Sequence, residues 1–212
     1  MNTKELDGYL KFLSEKQTAV QESGFDVEDS DLSPQLFPFQ KYCVKRALKV
    51  GRFAMFEDCG LGKTYQQLEW AQQVVNHINK PVLILAPLGV IGQTIKEGVH
   101  FGYKVTEIAL TTFDQDLSAG IYITNYDNMD NIDAYLFGGV VLDESSILKN
   151  FAGKTRTALI DDFKNTPYKL CCTATPSPND TTELCNHAEF LNIMTRNEML
   201  AMYFVHDGGS TS

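Results

Sequence analysis

The sequence is poor in cysteine and histidine and has no long apolar run. Five cysteines and four histidines occur among its 212 residues. No cysteine pair has C-x-x-C spacing, so neither a disulfide framework nor a Cys/His metal site is indicated. No apolar run approaches the roughly 18–20 residues that cross a bilayer, and the first residues lack the apolar core of a signal peptide. We therefore expect a cytoplasmic protein with no membrane partner.

An excess of basic charge is also missing. The net charge is −9 and the pI is about 4.9, which does not by itself indicate nucleic-acid binding. The charge is unevenly distributed, because residues 1–33 hold eight acidic and three basic residues. A helix through residues 41–52 would place Lys41, Lys45, Lys49 and Arg52 on one face. That face could be solvated or could contact phosphates.

Short apolar runs alternate with helical patterns from Leu36 onward. The candidate strands are Phe53–Phe56, Pro81–Ala86, Val105–Ala109, Ile121–Thr124, Val140–Leu142 and Lys169–Cys172. They contain little polar alternation, which suits strands that are buried on both faces in a parallel sheet. Apolar residues at helical spacing predict helices over Thr64–Asn79 and over Thr181–Phe204. The alternation predicts an α/β sandwich with a mostly parallel sheet.

The chain divides into three predicted parts. Residues 1–33 form an acidic N-terminal extension that packs on the core or on a partner, with disorder expected between Gly24 and Pro34. Residues 34–195 form the α/β domain. Residues 196–212 are interpreted as the start of a linker to a second domain.

A glycine-rich loop follows the first predicted strand and precedes a helix. It reads Glu57-Asp-Cys-Gly-Leu-Gly-Lys-Thr64. Glycines allow backbone N–H groups to curl around phosphates, and a helix N-terminus attracts the anion. Lys63 would supply positive charge to the β- and γ-phosphates, and the Thr64 hydroxyl would be a Mg²⁺ ligand. The predicted nucleotide-binding residues here are Cys59, Gly60, Leu61, Gly62, Lys63, Thr64 and Tyr65.

Two further strand ends carry polar side chains. The first reads Val140-Val-Leu-Asp-Glu-Ser-Ser146, where Asp143 would hold Mg²⁺ and Glu144 would polarise the attacking water. The second reads Cys172-Thr-Ala-Thr-Pro-Ser177. Its short hydroxyl residues could bond a neighbouring carboxylate or the γ-phosphate region, and a simple turn ended by proline is the alternative. The predicted catalytic residues are Lys63, Asp143 and Glu144.

Taken in order, these motifs resemble those of superfamily-two helicases, and within them the Swi/Snf-type translocases. Residues 58–64 are similar to D-x-G-L-G-K-T, residues 143–150 to D-E-A-H-x-[IL]-K-N, and residues 173–176 to S/T-[AG]-T-P. Ser145-Ser146 stands where that family has Ala-His. The resemblance spans about Leu36 to Asn192. The sequence also resembles helicases encoded by bacteriophages, which would place the protein in the host cytoplasm.

The resemblance implies a RecA-like three-layer P-loop NTPase domain that binds ATP and Mg²⁺. Gln40, in Leu36-Phe-Pro-Phe-Gln40, would contact the adenine. Thr173 and Thr175 would couple nucleotide state to nucleic acid. The implied contacts with the nucleic-acid backbone are Pro87, Gly89, Thr124 and Tyr126. DNA is expected more than RNA.

The resemblance also implies a second RecA-like domain, which would supply an arginine to the γ-phosphate. The only arginine after Pro176 is Arg196. We therefore expect this chain alone to bind ATP, to hydrolyse it slowly and not to unwind nucleic acid. A non-catalytic ATP-binding interaction module is the alternative. A P-loop kinase or GTPase is disfavoured, because the sequence contains no N-K-x-D guanine motif.

Overall fold

The computed structural model describes residues 22–108, 117–149 and 153–204. Their strands are β1 (Arg52–Phe56), β2 (Val82–Ala86), β3 (Val105–Glu107), β4 (Ile121–Asn125), β5 (Gly139–Asp143) and β6 (Tyr168–Thr173). They form one sheet in the order β1-β6-β5-β2-β4-β3, and every neighbouring pair is parallel. All six predicted strands are confirmed to within a few residues. The predicted end of the third, at Ala109, lies outside the described residues.

In the described part of the chain, helices precede, connect and follow the strands. They are α1 (Pro38–Val50), α2 (Lys63–Ile78), α3 (Leu88–Phe101), α4 (Lys154–Asp162), α5 (Leu184–Phe190) and α6 (Arg196–Tyr203). Short 3-10 helices cover Tyr126–Asn131, Ala134–Leu136, Ser145–Lys149 and Thr181–Glu183. The predicted helix over residues 64–79 is confirmed as α2. Within the described residues, no helix is long and apolar enough to span a membrane.

The stretch predicted to be helical over residues 181–204 is helical in two parts, with a break between Phe190 and Arg196. Asn192 adopts a left-handed backbone conformation with φ 54. The N–H of Ile193 donates to the Ala188 carbonyl, closing the turn after α5. A new helix then begins at Arg196, capped by the Thr195 side chain.

The sheet is covered on both faces because alternate strand residues point in opposite directions. One core packs the strands against α1, α2 and α3, and includes Met55, Ile84, Ile123, Val141 and Leu170. The other packs them against α4 and α5, and includes Leu85, Leu142, Cys171, Leu159 and Phe190. The three-layer α/β sandwich is therefore confirmed.

One buried position in the second core is charged. Lys169 on β6 has no exposed surface, and its Nζ donates to the Phe190 carbonyl at the end of α5, 2.7 Å away. Burial and the charge of Arg52 lower the pKa of Lys169 to about 8. The lysine therefore ties β6 to the C-terminal end of α5.

The segment before α1 belongs to the packed structure. The N–H groups of Ser23, Gly24 and Phe25 donate to the last carbonyls of α1 at 3.2, 3.1 and 3.0 Å. The Phe25 ring stacks on His77 of α2 at 3.8 Å, and Leu32 is buried in the first core. The prediction of disorder between Gly24 and Pro34 is wrong, since both the backbone and the apolar side chains have partners on α1 and α2.

Candidate nucleotide site

Three loops meet at the carboxyl edge of the sheet because β6 lies between β1 and β5. The glycine-rich loop follows β1, Asp143 ends β5 with Glu144 directly after it, and Thr173 ends β6. The Thr173 hydroxyl donates to Glu144 Oε1 at 2.7 Å, and the N–H of Thr175 donates back to the Thr173 hydroxyl at 3.0 Å. The structure thus brings together the three motifs that the sequence separates by up to 110 residues.

The loop between β1 and α2 needs glycine at two positions. Gly60 and Gly62 have φ of 84 and 75, a region that side-chain-bearing residues rarely adopt. A Cβ at Gly62 would also lie 2.5 Å from Gln40 Nε2. The first N–H groups of α2 have no partner within the helix, so loop and helix together offer backbone donors to an anion.

Lys63 and Thr64 begin α2 directly after this loop. Lys63 Nζ donates to the carbonyls of Glu57 and Asp58 at 2.8 and 2.9 Å. These are neutral acceptors, which an incoming phosphate would outcompete because charge-assisted hydrogen bonds are stronger. The loop and its lysine therefore fit a triphosphate.

Glu57 takes the place of the first glycine of the phosphate loop. Its N–H donates to the Thr173 carbonyl at 3.2 Å, and its carboxylate accepts from Gln66 Nε2 at 2.7 Å. Burial and the Glu57 carboxylate raise the pKa of Cys43 to about 11. Glu57 is thus tied to α2.

Asp143 is held by a residue that the sequence analysis missed. Gln67 of α2 is fully buried, and its Nε2 donates to Asp143 Oδ1 at 2.8 Å. Burial raises the pKa of Asp143, and the Gln67 hydrogen bond opposes that shift. Gln67 lies four residues after Lys63, so helical spacing was the signal that could have identified it.

The oxygen ligands of Asp143 and Thr64 are of the type that Mg²⁺ prefers, and Mg²⁺ is commonly bound by few protein groups together with phosphates and water. The described residues contain no group of three or more His, Cys, Asp or Glu that could hold a metal ion. The donor set therefore fits Mg²⁺ bound together with a nucleotide.

Glu144 has a strained backbone that its neighbour helps to hold. Its φ is 57, which costs energy in a residue with a side chain. The next residue, Ser145, is buried, and its hydroxyl lies 3.2 Å from His187 Nε2. The His187 ring meets Phe56 edge-on at 5.2 Å, and burial lowers the pKa of His187. Sequence analysis gave His187 no role, since it lies 42 residues beyond Ser145.

An aromatic cavity of about 570 Å³ adjoins the loop. Its lining includes Phe37, Phe39, Gln40, Gly60, Leu61, Gly62, Tyr65 and Phe101. Gln40 Oε1 accepts from the Phe37 N–H and its Nε2 donates to the Leu61 carbonyl, both at 2.9 Å. One lone pair of Gln40 Oε1 and one N–H of its Nε2 therefore remain available for a ligand. Tyr65 stacks on Phe101 at 3.8 Å, and Cys59 is exposed on the loop.

The residues predicted to contact nucleic acid are only partly at the surface. Pro87 and Tyr126 line a second cavity, of about 540 Å³, which Glu144 also lines. Gly89 is exposed in the first turn of α3. The Tyr126 hydroxyl donates to the Asp143 carbonyl at 2.7 Å, which connects this cavity to the nucleotide loops.

Thr124 is placed differently from its prediction. It is buried, and its hydroxyl donates to the Ile108 carbonyl at 3.0 Å. The same hydroxyl accepts from Asn128 Nδ2 at 2.9 Å. In this arrangement the Thr124 side chain braces the start of the loop after β4, and its hydroxyl is engaged within the protein.

Comparison with known proteins agrees with this geometry. The SNF2-related domain family matches residues 41–201. Protein p41 of Acyrthosiphon pisum secondary endosymbiont phage 1 is 28% identical over 73% of this chain and 38% of its own length. The SWI/SNF-related matrix-associated actin-dependent regulator of chromatin subfamily A-like protein 1 of Xenopus laevis is 27% identical over 74% of this chain and 17% of its own length. The chain therefore spans less than half the length of these relatives.

Solved structures show the same fold. The Sulfolobus solfataricus SWI2/SNF2 ATPase core in complex with double-stranded DNA aligns with a TM-score of 0.70 at 21% identity, covering 84% of this chain and 41% of that one. The UvsW helicase from bacteriophage T4 aligns with a TM-score of 0.61 at 14% identity, covering 88% and 66%. With most of its length matched by one family, this chain belongs to the SNF2-related domain family and has the fold of its N-terminal RecA-like lobe.

Proposed function

We propose that this chain binds ATP with Mg²⁺ and is the ATP-hydrolysing first lobe of a two-lobed DNA translocase or helicase. The observation that supports this most directly is the meeting of Lys63, Asp143 and Glu144 at one edge of the sheet, with Thr173 bonded to Glu144. Carboxylates at a partly buried site are costly unless a cation or water accompanies them. Mg²⁺ bound together with a triphosphate would supply the cation that offsets this cost.

Each side chain has a role consistent with its position. Lys63 and the first N–H groups of α2 would hold the phosphates, and Thr64 and Asp143 would be ligands of Mg²⁺, which neutralises phosphate charge. Glu144 would orient the attacking water and accept its proton. The Thr173 hydroxyl fixes the Glu144 carboxylate, so Thr173 would respond to the γ-phosphate through it.

The adenine would enter the aromatic cavity beside Gln40. The two free hydrogen-bonding positions of the Gln40 amide match an adenine edge, which offers one N–H donor and one ring-nitrogen acceptor. The exposed rings of Phe37 and Phe39 supply stacking surface. This arrangement supports selection of adenine over guanine, since guanine presents a carbonyl where adenine has its amino group.

Nucleic acid would contact the cavity lined by Pro87 and Tyr126, with Gly89 beside it. The helix N-terminus of α3 there offers backbone N–H groups to phosphates. The relative whose structure holds double-stranded DNA has the same fold, which supports DNA as the partner. The Tyr126 hydroxyl donates a hydrogen bond to the Asp143 carbonyl. A displacement of Tyr126 by bound nucleic acid would therefore be transmitted to Asp143 in the nucleotide site.

Titration with ATP and Mg²⁺, followed by calorimetry, tests the nucleotide assignment. Wild type should bind, Lys63→Ala should lose at least about ten-fold in affinity, and Lys96→Ala, on the exposed face of α3, should match wild type. GTP should compete for the site less well than ATP does. Absence of ATP binding by the wild type would contradict the proposal.

A further inference from the structure

An acidic segment covers a basic helix face at the edge of the sheet. The segment is residues 22–31, and the basic face is formed by Lys41, Lys45, Arg46 and Lys49 of α1. Lys45 pairs with Asp29 at 2.6 Å and Arg46 with Glu22 at 2.5 Å. Lys49 lies 3.3 Å from Asp26 and 3.7 Å from Glu22. Lys41 Nζ donates to the Asp29 carbonyl at 3.2 Å. Every cation of this face is therefore engaged by the one segment.

Two of the three carboxylates form the outer layer of this contact, while the Glu22 side chain, at 41% exposed, is level with that of Lys49, at 42%. The side chains of Asp29 and Asp26 are 71% and 79% exposed, whereas those of Lys45 and Arg46 are 36% and 37% exposed. An approaching polyanion would meet negative charge first. The four cations are consequently hidden electrostatically, although a helix with their spacing is a basic surface by sequence.

The segment is anchored separately from its charged side chains. Its backbone donates to the end of α1, and the Phe25 ring stacks on His77. The carboxylates can therefore leave their partners while the segment stays in place. Pairs this exposed are weak and are screened by salt, so a polyanion that releases counterions can displace them.

The uncovered face has the chemistry of a nucleic-acid surface. Residues 41, 45 and 49 recur every four positions, about 6 Å apart along the helix. Tyr42, which is 72% exposed, adds a ring on which a base can stack. A cavity of about 310 Å³ lies between segment and helix, lined by Tyr42 and the four basic residues. Protein interfaces, by contrast, have cores depleted in charge.

We propose that the basic face of α1 binds nucleic-acid phosphates and that the acidic segment is a built-in competitor for it. This surface lies at the β1 edge of the sheet, apart from the cavity lined by Pro87 and Tyr126 near β2 and β4. The inference rests on the proposed function in one respect: if the chain is part of a nucleic-acid motor, the basic face is a second nucleic-acid contact, covered by the acidic segment. Binding at this face requires no nucleotide.

Fluorescence anisotropy with a labelled 30-base-pair duplex, without ATP, tests the proposal. The unmasked variant is Glu22→Gln with Asp26→Asn and Asp29→Asn. It should bind about ten-fold more tightly than wild type at 50 mM KCl. The slope of log affinity against log salt concentration should also become more negative by about two to three, since each phosphate contact contributes about −0.9 to that slope. Thermal melting should be nearly unchanged, because the lost ion pairs are exposed.

A variant of equal charge separates this effect from bulk electrostatics. Glu107→Gln with Asp130→Asn and Asp161→Asn changes net charge by the same amount at exposed positions elsewhere, and should bind like wild type. An equal gain in this control, or no gain in the unmasked variant, would overturn the proposal.

Further substitutions in the unmasked variant locate the gain. Lys45→Gln with Lys49→Gln should abolish it, whereas Lys104→Gln should leave it intact, because Lys104 is exposed just before β3, at the opposite edge of the sheet. Persistence of the gain without Lys45 and Lys49 would overturn the proposal. The proposal would also be overturned if polyglutamate displaced the labelled duplex as effectively as unlabelled DNA of equal charge does. The same comparison in a Lys63→Ala background should show the same gain in DNA affinity. The gain then does not depend on the nucleotide site, so this proposal can hold even if the chain does not bind ATP.

Discussion

Gln67 shows what a local motif leaves out. The sequence singles out Lys63, Asp143 and Glu144 because each lies in a short pattern whose chemistry is local. Gln67 binds Asp143 across 76 residues, so its role depends on the position of α2 over the sheet. The buried Thr124 hydroxyl is the converse case, since its strand-end position suggested a surface contact while the loops around it bury it.

The Gln67→Leu variant should weaken Mg²⁺-dependent ATP binding by about ten-fold, in the range seen when a hydrogen-bond partner of a metal ligand is removed. Loss of the Gln67 hydrogen bond raises the pKa of Asp143 further above its ordinary value. Metal binding needs the deprotonated carboxylate, so the deficit should be larger at pH 6 than at pH 8. Calorimetric titrations at both pH values, with and without Mg²⁺, measure this.

Gln72→Leu, on the same helix and paired only with Asn76 in the described contacts, is the matched control and should bind as wild type does. Stability should fall by no more than about 1 kcal/mol in Gln67→Leu. The lost hydrogen bond to Asp143 costs free energy, but the substitution also removes Gln67 Oε1, which is buried without a hydrogen-bond partner among the described residues. An equal affinity loss with and without Mg²⁺ would show that Gln67 acts on the whole loop and not through Asp143.

At the scale of elements, the six strands were predictable because each is a short apolar run bounded by polar residues. Burial on both faces selects such runs, and the sheet is parallel throughout. The segment at residues 22–33 was not predictable in this way. It is polar in composition, and its three apolar side chains, Phe25, Val27 and Leu32, have partners that only the tertiary structure brings near.

Truncation of Phe25 tests whether this segment is part of the domain. Phe25→Ala should lower the free energy of unfolding by about 2 kcal/mol, below the cost for a fully buried ring because Phe25 is half-buried. Urea denaturation measures the change. Tyr135→Ala, at a ring 78% exposed, should change stability by less than about 0.5 kcal/mol. A Phe25→Ala effect as small as that of Tyr135→Ala would mean that the segment contributes nothing to the fold.

For the whole molecule, the arrangement of arginines bears on catalysis. The chain has four arginines, at positions 46, 52, 156 and 196. None of them lines the aromatic cavity beside the glycine-rich loop. Arg156 lines the cavity that contains Glu144 but pairs with Glu189 of α5. The cation that the described residues place on the glycine-rich loop is Lys63.

We expect the 212-residue chain to bind ATP yet to turn it over slowly, with or without DNA. An arginine at the γ-phosphate contributes about 10³-fold or more in rate where it has been measured, so turnover should stay below about 0.1 s⁻¹ if a complete motor reaches about 10² s⁻¹. Phosphate release under saturating ATP measures this. Glu144→Gln should keep the ATP affinity and lose the residual rate, which identifies that rate as the chain's own. DNA-stimulated turnover at the speed of a complete motor would contradict the prediction, since Lys63, Asp143 and Glu144 would then suffice.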